Sequence, residues 1–285
     1  MTRLVWLLLV FGVFSCSAQS DEVRPLRFPM DDQSAIKAGG AELLEAVCPG
    51  EVKQSDRGVG CAGCPGQEIS EHRRGDHPPP QLSIVSVIRG HFLSPASQDA
   101  VVWATGCWYG SYGQSGVFYL LTHRSGKWDL ADQGGGLYRR CHKVRLQDKR
   151  EVLVCIATYH SANGIDFLVY LQDFTSDAPE QMLYSLNDVS EQCGWGVPDS
   201  AGQLTDKPAP ISLTYIDAIE FKNAAGQPPS FSIIVSKGTK LMRRQDCEDL
   251  PRKFGSPVIP TQSTRVTFSW TGETFERTSR GSTRK

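Results

Sequence analysis

The residues best placed by type and spacing to do chemistry are two cysteines and two histidines. Cys61-x-x-Cys64 is followed by His72 and His77. Two thiolates and two imidazoles can hold a tetrahedral zinc ion. The spacer between the pairs is shorter than the usual finger spacing of about 12 residues. The same Cys61-x-x-Cys64 can also be read as a thiol–disulfide exchange site, where a depressed thiol pKa drives attack. That chemistry expects a strand before the motif and a helix N-terminus at it. Here Gly58 and Gly60 precede it, and Pro65-Gly66 follows it. Structural disulfides are the plainer reading, and the zinc and redox readings stay as lesser alternatives. Cys64 is followed by proline rather than histidine, which does not fit covalent haem attachment.

Three further groups invite chemistry. Arg74-Gly75-Asp76 is the tripeptide that integrins read, but matches of three residues are common by chance. Trp108, Tyr109 and Tyr112 lie in a glycine-rich stretch, where aromatic side chains can stack on a sugar or clamp a peptide. The alternative is a loop folded over a β core beside Cys107. Gln114-Ser115-Gly116 lacks the spacing of a nucleophile elbow, and neither a metalloprotease helix, a phosphate-binding loop nor a dinucleotide fingerprint occurs. The sequence therefore names no catalytic residue, no metal site and no cofactor. A hydrolase built from dispersed residues stays open, because triads assemble in space and not in sequence.

The compartment decides what the cysteines do. Arg3, an apolar run over residues 4–14, and small residues at Ser15, Cys16, Ser17 and Ala18 form the three-part pattern of an export signal. The run is shorter than the about 20 residues a membrane span needs. Two processing schemes compete. One cuts after Ala18. The other uses Val13-Phe14-Ser15-Cys16, which resembles the lipobox of bacterial lipoproteins, with Cys16 carrying the lipid. The signal is then 1–18, or 1–15 in the lipoprotein. Either scheme leaves eight of the nine cysteines: Cys48, Cys61, Cys64, Cys107, Cys141, Cys155, Cys193 and Cys247. An even number in an oxidising compartment predicts disulfides.

One pairing follows from symmetry. Cys141 and Cys155 are equidistant from Asp148. A hairpin turning at Gln147-Asp148-Lys149 sets Val144 opposite Val152 and Cys141 opposite Cys155. Cys193 with Cys247 is a weaker pairing, since each sits between strands of the C-terminal half. Cys48, Cys61 and Cys64 crowd one segment, so one of them reaches outward, with Cys107 a candidate partner.

The elements that must position these residues are mostly strands. Short β-branched and aromatic runs begin at residue 82 and recur to residue 275, separated by Gly, Pro, Asn, Asp and Ser. Residues 34–47 predict one short helix, with Ser34 as N-cap and Leu43, Leu44 and Val47 on one face. Helical period otherwise recurs only over 183–190. The expected fold is mainly β, with antiparallel sheets arranged like a propeller or a sandwich, one short N-terminal helix and disulfides. The expected organisation is a helix plus Cys-rich loop over 19–81, a β domain over 82–276 and a basic, fraying tail over 277–285.

Three stretches share a shape: an apolar piece, a polar turn, then a strand. Gly90-His91-Phe92 precedes Gln98-Asp99. Leu146-Gln147-Asp148 precedes a strand from Arg150. Ile219-Glu220-Phe221 precedes a strand ending at Val235. The first and third resemble the FG-GAP repeats of integrin-like β-propellers and of many secreted bacterial proteins. The hairpin Phe268-Ser269-Trp270-Thr271-Gly272-Glu273-Thr274-Phe275 is similar to the last hairpin of such proteins. The family's calcium loop needs about 6–8 oxygen ligands. The turn from Asn223 to Pro229 has no acid, and that from Ser94 to Asp99 has one, so calcium binding is not carried over.

Composition narrows the partners. The chain has 30 Lys+Arg against 31 Asp+Glu, which gives no global electrostatic case for nucleic acid. The expectation is an exported envelope or extracellular protein, periplasmic, lipid-anchored or secreted, with a structural or binding role. Its partner would be a protein, peptide or glycan, and it would meet a membrane only through a lipid on Cys16. The alternative is a secreted hydrolase.

Overall fold

The computed structural model describes residues 24–28, 40–55, 58–63, 82–105, 115–137, 140–161, 164–187, 197–198, 204–205, 209–224, 226–242, 255–256 and 260–284. In chain order the elements are β1 (Arg24–Pro25), α1 (Gly40–Glu45), β2 (Val52–Ser55), β3 (Gly58–Cys61), β4 (Leu82–Gly90), β5 (Asp99–Thr105), β6 (Ser115–Arg124), β7 (Lys127–Leu137) and β8 (Arg140–Arg145). There follow β9 (Glu151–Ser161), β10 (Gly164–Gln172), β11 (Glu180–Asn187), β12 (Val197–Pro198), β13 (Leu204–Thr205), β14 (Ala209–Lys222), β15 (Ser230–Met242), β16 (Gly255–Ser256), β17 (Gln262–Trp270) and β18 (Phe275–Arg284). The fold is mainly β, as expected.

Three antiparallel sheets carry the molecule. The first runs β2-β3-β4-β5-β6-β7, the second β8-β9-β10-β11, the third β14-β15-β17-β18. In each sheet the strands lie in chain order, so each is a meander, although β16 intervenes in sequence between β15 and β17 and residues 62–81 separate β3 from β4. The turns use the chemistry their backbone needs. Ser125 and Gly126, between β6 and β7, both have positive φ, as the tight hairpin turn that matches strand twist requires.

The sheets stack face to face, with α1 on the outer face of the first. Alternation along each strand shows why. In β5, Ala100, Val102 and Ala104 face the core under α1, with Leu43, Leu44 and Tyr119. Val101 and Trp103 face the second sheet, with Phe118, Leu120, Leu153 and Cys155. In β9, Val152, Val154 and Ile156 face the third sheet, meeting Phe231, Ile233, Val266 and Phe268. Strands buried on both faces read as unbroken apolar runs, and β5 and β9 do. The third sheet has a polar outer side, where Ser232 Oγ meets Thr267 Oγ1 at 3.0 Å and Arg265 bonds Glu220 at 2.8 Å.

The sheets also share irregularities. The last strand of each meander carries one extra residue against its neighbour: Ala131 in β7, Leu183 in β11 and Thr278 in β18. The strand three places before it in the first and third sheets carries one as well, Val85 in β4 and Asp217 in β14. Each of those lies five residues before its strand ends, at Gly90 and Lys222. Counting only the last four strands of each sheet, the three similar sequence stretches fall in the hairpin between the first and second of them: β4–β5, β8–β9 and β14–β15. Bulges twist an edge strand and blunt its pairing with other chains.

Four expectations are corrected. The segment read as a Cys-rich loop contributes β2 and β3, and β3 hydrogen-bonds to β4, so the first sheet extends upstream of residue 82. These strands are short and poor in large apolar residues, and they join the sheet by pairing, β2 with β3 and β3 with β4. The tail read as fraying from residue 277 is β18, which pairs with β17 as far as Arg284. It is an edge strand exposed where it leaves the core, hence its polar sequence. The helical period over 183–190 belongs to a strand as far as Asn187, where the extra residue Leu183 breaks simple alternation. The helix expected over 34–47 is described from Gly40 and ends at Glu45. Its predicted cap, Ser34, lies outside the described residues, as do residues 1–23.

Candidate functional site

Among the described residues, a dense polar constellation lies where the β4–β5 turn meets the start of β9. Asp99, the first residue of β5, is 1% exposed. Its Oδ2 accepts hydrogen bonds from the backbone N–H of Phe92 at 2.7 Å, that of Leu93 at 2.8 Å, and the hydroxyl of Ser97. Ser94 and Ser97 exchange bonds reciprocally, each backbone N–H donating to the other's hydroxyl at 3.0 Å. The Nδ1 of His91 meets the Ser97 carbonyl. A carbonyl only accepts, so Nδ1 carries the proton. Short polar side chains that bond nearby backbone are what fold such a turn.

The turn thus brings together a serine, a histidine and an aspartate, but not in the order catalysis needs. A serine nucleophile must give its proton to the imidazole, and the carboxylate must hold the imidazole. Here the Ser97 hydroxyl bonds Asp99 and the Ser94 carbonyl, while His91 bonds the Ser97 backbone. Oδ2 of the carboxylate is occupied by the Phe92 and Leu93 amides, while Oδ1 is buried without a hydrogen-bond partner among the described residues and makes no hydrogen bond to His91. The arrangement holds a loop and does not activate a hydroxyl.

From this loop a clasp reaches the second sheet. His91 N–H donates to Glu151 Oε2 at 2.9 Å, and Glu151 N–H donates back to the His91 carbonyl at 2.8 Å. Lys143 Nζ donates to the Arg89 carbonyl at 2.8 Å and lies 4.0 Å from Glu151. Gly90 stands under this clasp. A Cβ there would lie 2.6 Å from Glu151 Oε2 and 2.7 Å from Phe92 Cζ, so only glycine fits. Both glycine and phenylalanine of the first repeat-like stretch therefore have a structural reason.

A second cluster ties the two turns of the second sheet. Asp173 Oδ1 accepts from Arg150 Nη1 and from Thr175 through N–H at 3.0 Å and Oγ1 at 2.8 Å. Asp148 bonds the Arg150 backbone at 2.9 Å. Burial works against the Arg150 charge, but the hydrogen bond and field of Asp173, with Asp148, outweigh it and raise its pKa.

The cysteines divide cleanly. Cys141 and Cys155 are partners across β8–β9 and form a disulfide, with Cα atoms 4.0 Å apart, as the symmetry about Asp148 predicts. Cys48 bonds Cys61, with Cα atoms 6.2 Å apart. That bridge is buried under α1 and corrects the zinc and exchange readings of Cys61-x-x-Cys64, because Cys61 is already committed to another partner. Among the described residues no group of three or more His, Cys, Asp or Glu is arranged to hold a metal. Cys16, Cys64, Cys107, Cys193, Cys247, His72, His77, the 74–76 tripeptide and the aromatics Trp108, Tyr109 and Tyr112 lie outside the described residues. Among the described residues no helix is long and apolar enough to cross a membrane.

The sequence reading missed the His91–Ser97–Asp99 cluster and the Arg27–Asp217 ion pair, which spans 2.8 Å between a segment near the N-terminus and β14. The first had a signal, three polar residues of turn-forming type within nine positions. The second had none, because its partners are 190 residues apart. No family model matches the chain, and no curated protein matches it.

Proposed function

We propose that this chain is an exported protein, carried to the cell envelope or beyond, with a structural or binding role rather than a catalytic one. The observation that carries the reading is how the polar groups of the best cluster are used. Asp99, Ser97, His91 and Glu151 are engaged in folding one turn and fastening two sheets. Two buried disulfides favour an oxidising compartment, since thiols stay reduced in the cytosol of most cells. The export signal over 1–18, or the lipobox ending at Cys16, supplies the route. The first and third of the repeat-like stretches resemble FG-GAP repeats, which occur in many secreted bacterial proteins, and that resemblance is in keeping with export. The ligand would be a protein, peptide or glycan, with Trp108, Tyr109 and Tyr112 as its contacts. Their flanking strand ends, Thr105 and Ser115, are at the end of the first sheet opposite the His91–Asp99 turn.

The hydrolase alternative keeps one specific observation, the proximity of Ser97, His91 and Asp99. Assay of the purified chain against ester, peptide and glycoside substrates tests it. The proposal expects no turnover that Ser97→Ala or His91→Ala removes. Turnover lost in a folded Ser97→Ala variant would reverse the assignment.

A further inference from the structure

The segment Leu26-Arg27-Phe28 lies along the free edge of β14, far from its own neighbours in sequence. Arg27 N–H donates to the Asp217 carbonyl at 3.2 Å, and Ile219 N–H donates to the Arg27 carbonyl at 3.0 Å. Arg27 and Ala218 are parallel bridge partners. Just upstream, Arg24 and Pro25 pair antiparallel with Ser256 and Gly255 of β16. The segment therefore fills a slot between β14 and β16. Its side chains are matched to that slot. The guanidinium of Arg27 bonds Asp217 Oδ2 at 2.8 Å. The Asp217 side chain is 9% exposed, while that of Arg27 is 61% exposed. Phe28 enters the core between the second and third sheets and meets the Phe221 ring at 6.1 Å.

This is the geometry of strand addition. Backbone bonds supply affinity, and pockets for particular side chains supply selectivity. An apolar–Arg–Phe run is what this slot selects. The attachment is also small. Among the described residues it consists of two backbone bonds to β14, a short β1–β16 pairing, one ion pair whose cation is mostly in solvent, one buried ring and the half-buried side chain of Leu26. Opening of so limited a unit costs less than global unfolding. Once it opens, β14 would expose a row of backbone donors and acceptors next to a buried carboxylate without its partner, which favours recapture of a matching strand.

We propose that the slot between β14 and β16 is a strand-acceptor site, filled at rest by the chain's own residues 24–28 and able to take the same residues of a second copy. The chain itself supplies the matching occupant. Twelve residue steps separate Phe28 from Gly40 at the start of α1. An extended chain of that length spans at most about 40 Å, enough to reach a neighbouring copy. Both processing schemes retain residues 24–28, so the mature protein keeps the strand.

The test uses the full chain and a labelled synthetic peptide of residues 21–31. An acceptor variant carries Arg27→Ala with Phe28→Ala, which weakens the resident strand. The peptide is expected to bind this variant at least tenfold more tightly than the unsubstituted chain. Adding Asp217→Asn to the acceptor, or Arg27→Glu to the peptide, is expected to lose at least tenfold. Equal affinity for both chains, absence of binding to the variant, or indifference to Asp217→Asn would overturn the proposal. Should the variant fail to fold, hydrogen exchange on the unsubstituted chain decides. The Ile219 amide, bonded to Arg27, should exchange at least tenfold faster than that of Ile233 in β15. Equal protection would mean that the strand does not leave.

Discussion

Cys141 stands directly opposite Cys155 across the β8–β9 hairpin, and the bond between them faces the first sheet, packed with Trp103, Phe118 and Leu153. The bridge thus closes a local hairpin and forms part of the floor on which the first sheet rests. Fastening within a sheet and fastening between sheets meet at one pair of residues.

Removing that bridge should cost more than a surface disulfide would. The Cys141→Ala/Cys155→Ala variant is expected to lose about 2–4 kcal/mol, from the loop released in the unfolded chain together with the lost packing. Denaturant unfolding of both proteins under oxidising conditions reads it. A loss under about 1 kcal/mol would place the bridge outside the packed interface.

Gly90 admits no side chain. Gly90→Ala should destabilise by about 1–3 kcal/mol, the usual cost of overpacking. The conflict is with the Glu151 carboxylate and the Phe92 ring. Combining it with Glu151→Ala should therefore cost less than the sum of the single changes, because contacting residues couple. Strict additivity in a double-mutant cycle would argue against the clasp.

Asp99 satisfies two buried backbone donors. Asp99→Ala strands the Phe92 and Leu93 amides and should cost about 2–4 kcal/mol, as two unmet buried donors do. Asp99→Asn keeps one oxygen acceptor and should lose less. Equal losses for the two variants would show that the acceptor geometry is not what matters.

Asp166 gives the pH dependence. Burial raises its carboxyl above the ordinary value, so the folded chain favours the neutral acid. Its contribution is fully present below the unfolded pKa and is lost as pH rises through the folded pKa. Asp166→Asn is uncharged throughout. It should therefore raise the melting temperature at neutral pH relative to the parent, and the gain should vanish at about pH 3, where the parent carboxyl is largely protonated. A gain of equal size at both pH values would assign the effect to something other than titration.

How far the sequence could be read depended on where each element finds its partners. The β8–β9 hairpin was legible because the turn and the two cysteines lie within residues 141–155, and symmetry about Asp148 sets the register. Strands β5 and β9 announced themselves by burial on both faces. By contrast, β3 carries two glycines among its four residues and joins the sheet through its bonds to β4, which follow some twenty residues later. Arg277 to Arg284 gave a solvent-like pattern, because an edge strand needs few apolar residues. In the candidate site, Asp99 was visible only as the one acid of a turn. Its role depends on two backbone amides, which no residue type reveals. Cys48–Cys61 was hidden by competition, since three cysteines in one segment offer more than one local pairing.

The central claim is an exported chain fastened by disulfides inside its core. Its most direct test is non-reducing peptide mapping, with intact mass, of the protein purified from its own cells. The account predicts Cys48 linked to Cys61, Cys141 linked to Cys155, and a chain that starts at Gln19 or at an acylated Cys16. A chain retaining Met1, or Cys61 linked to Cys64, or free thiols at Cys141 and Cys155, would contradict it.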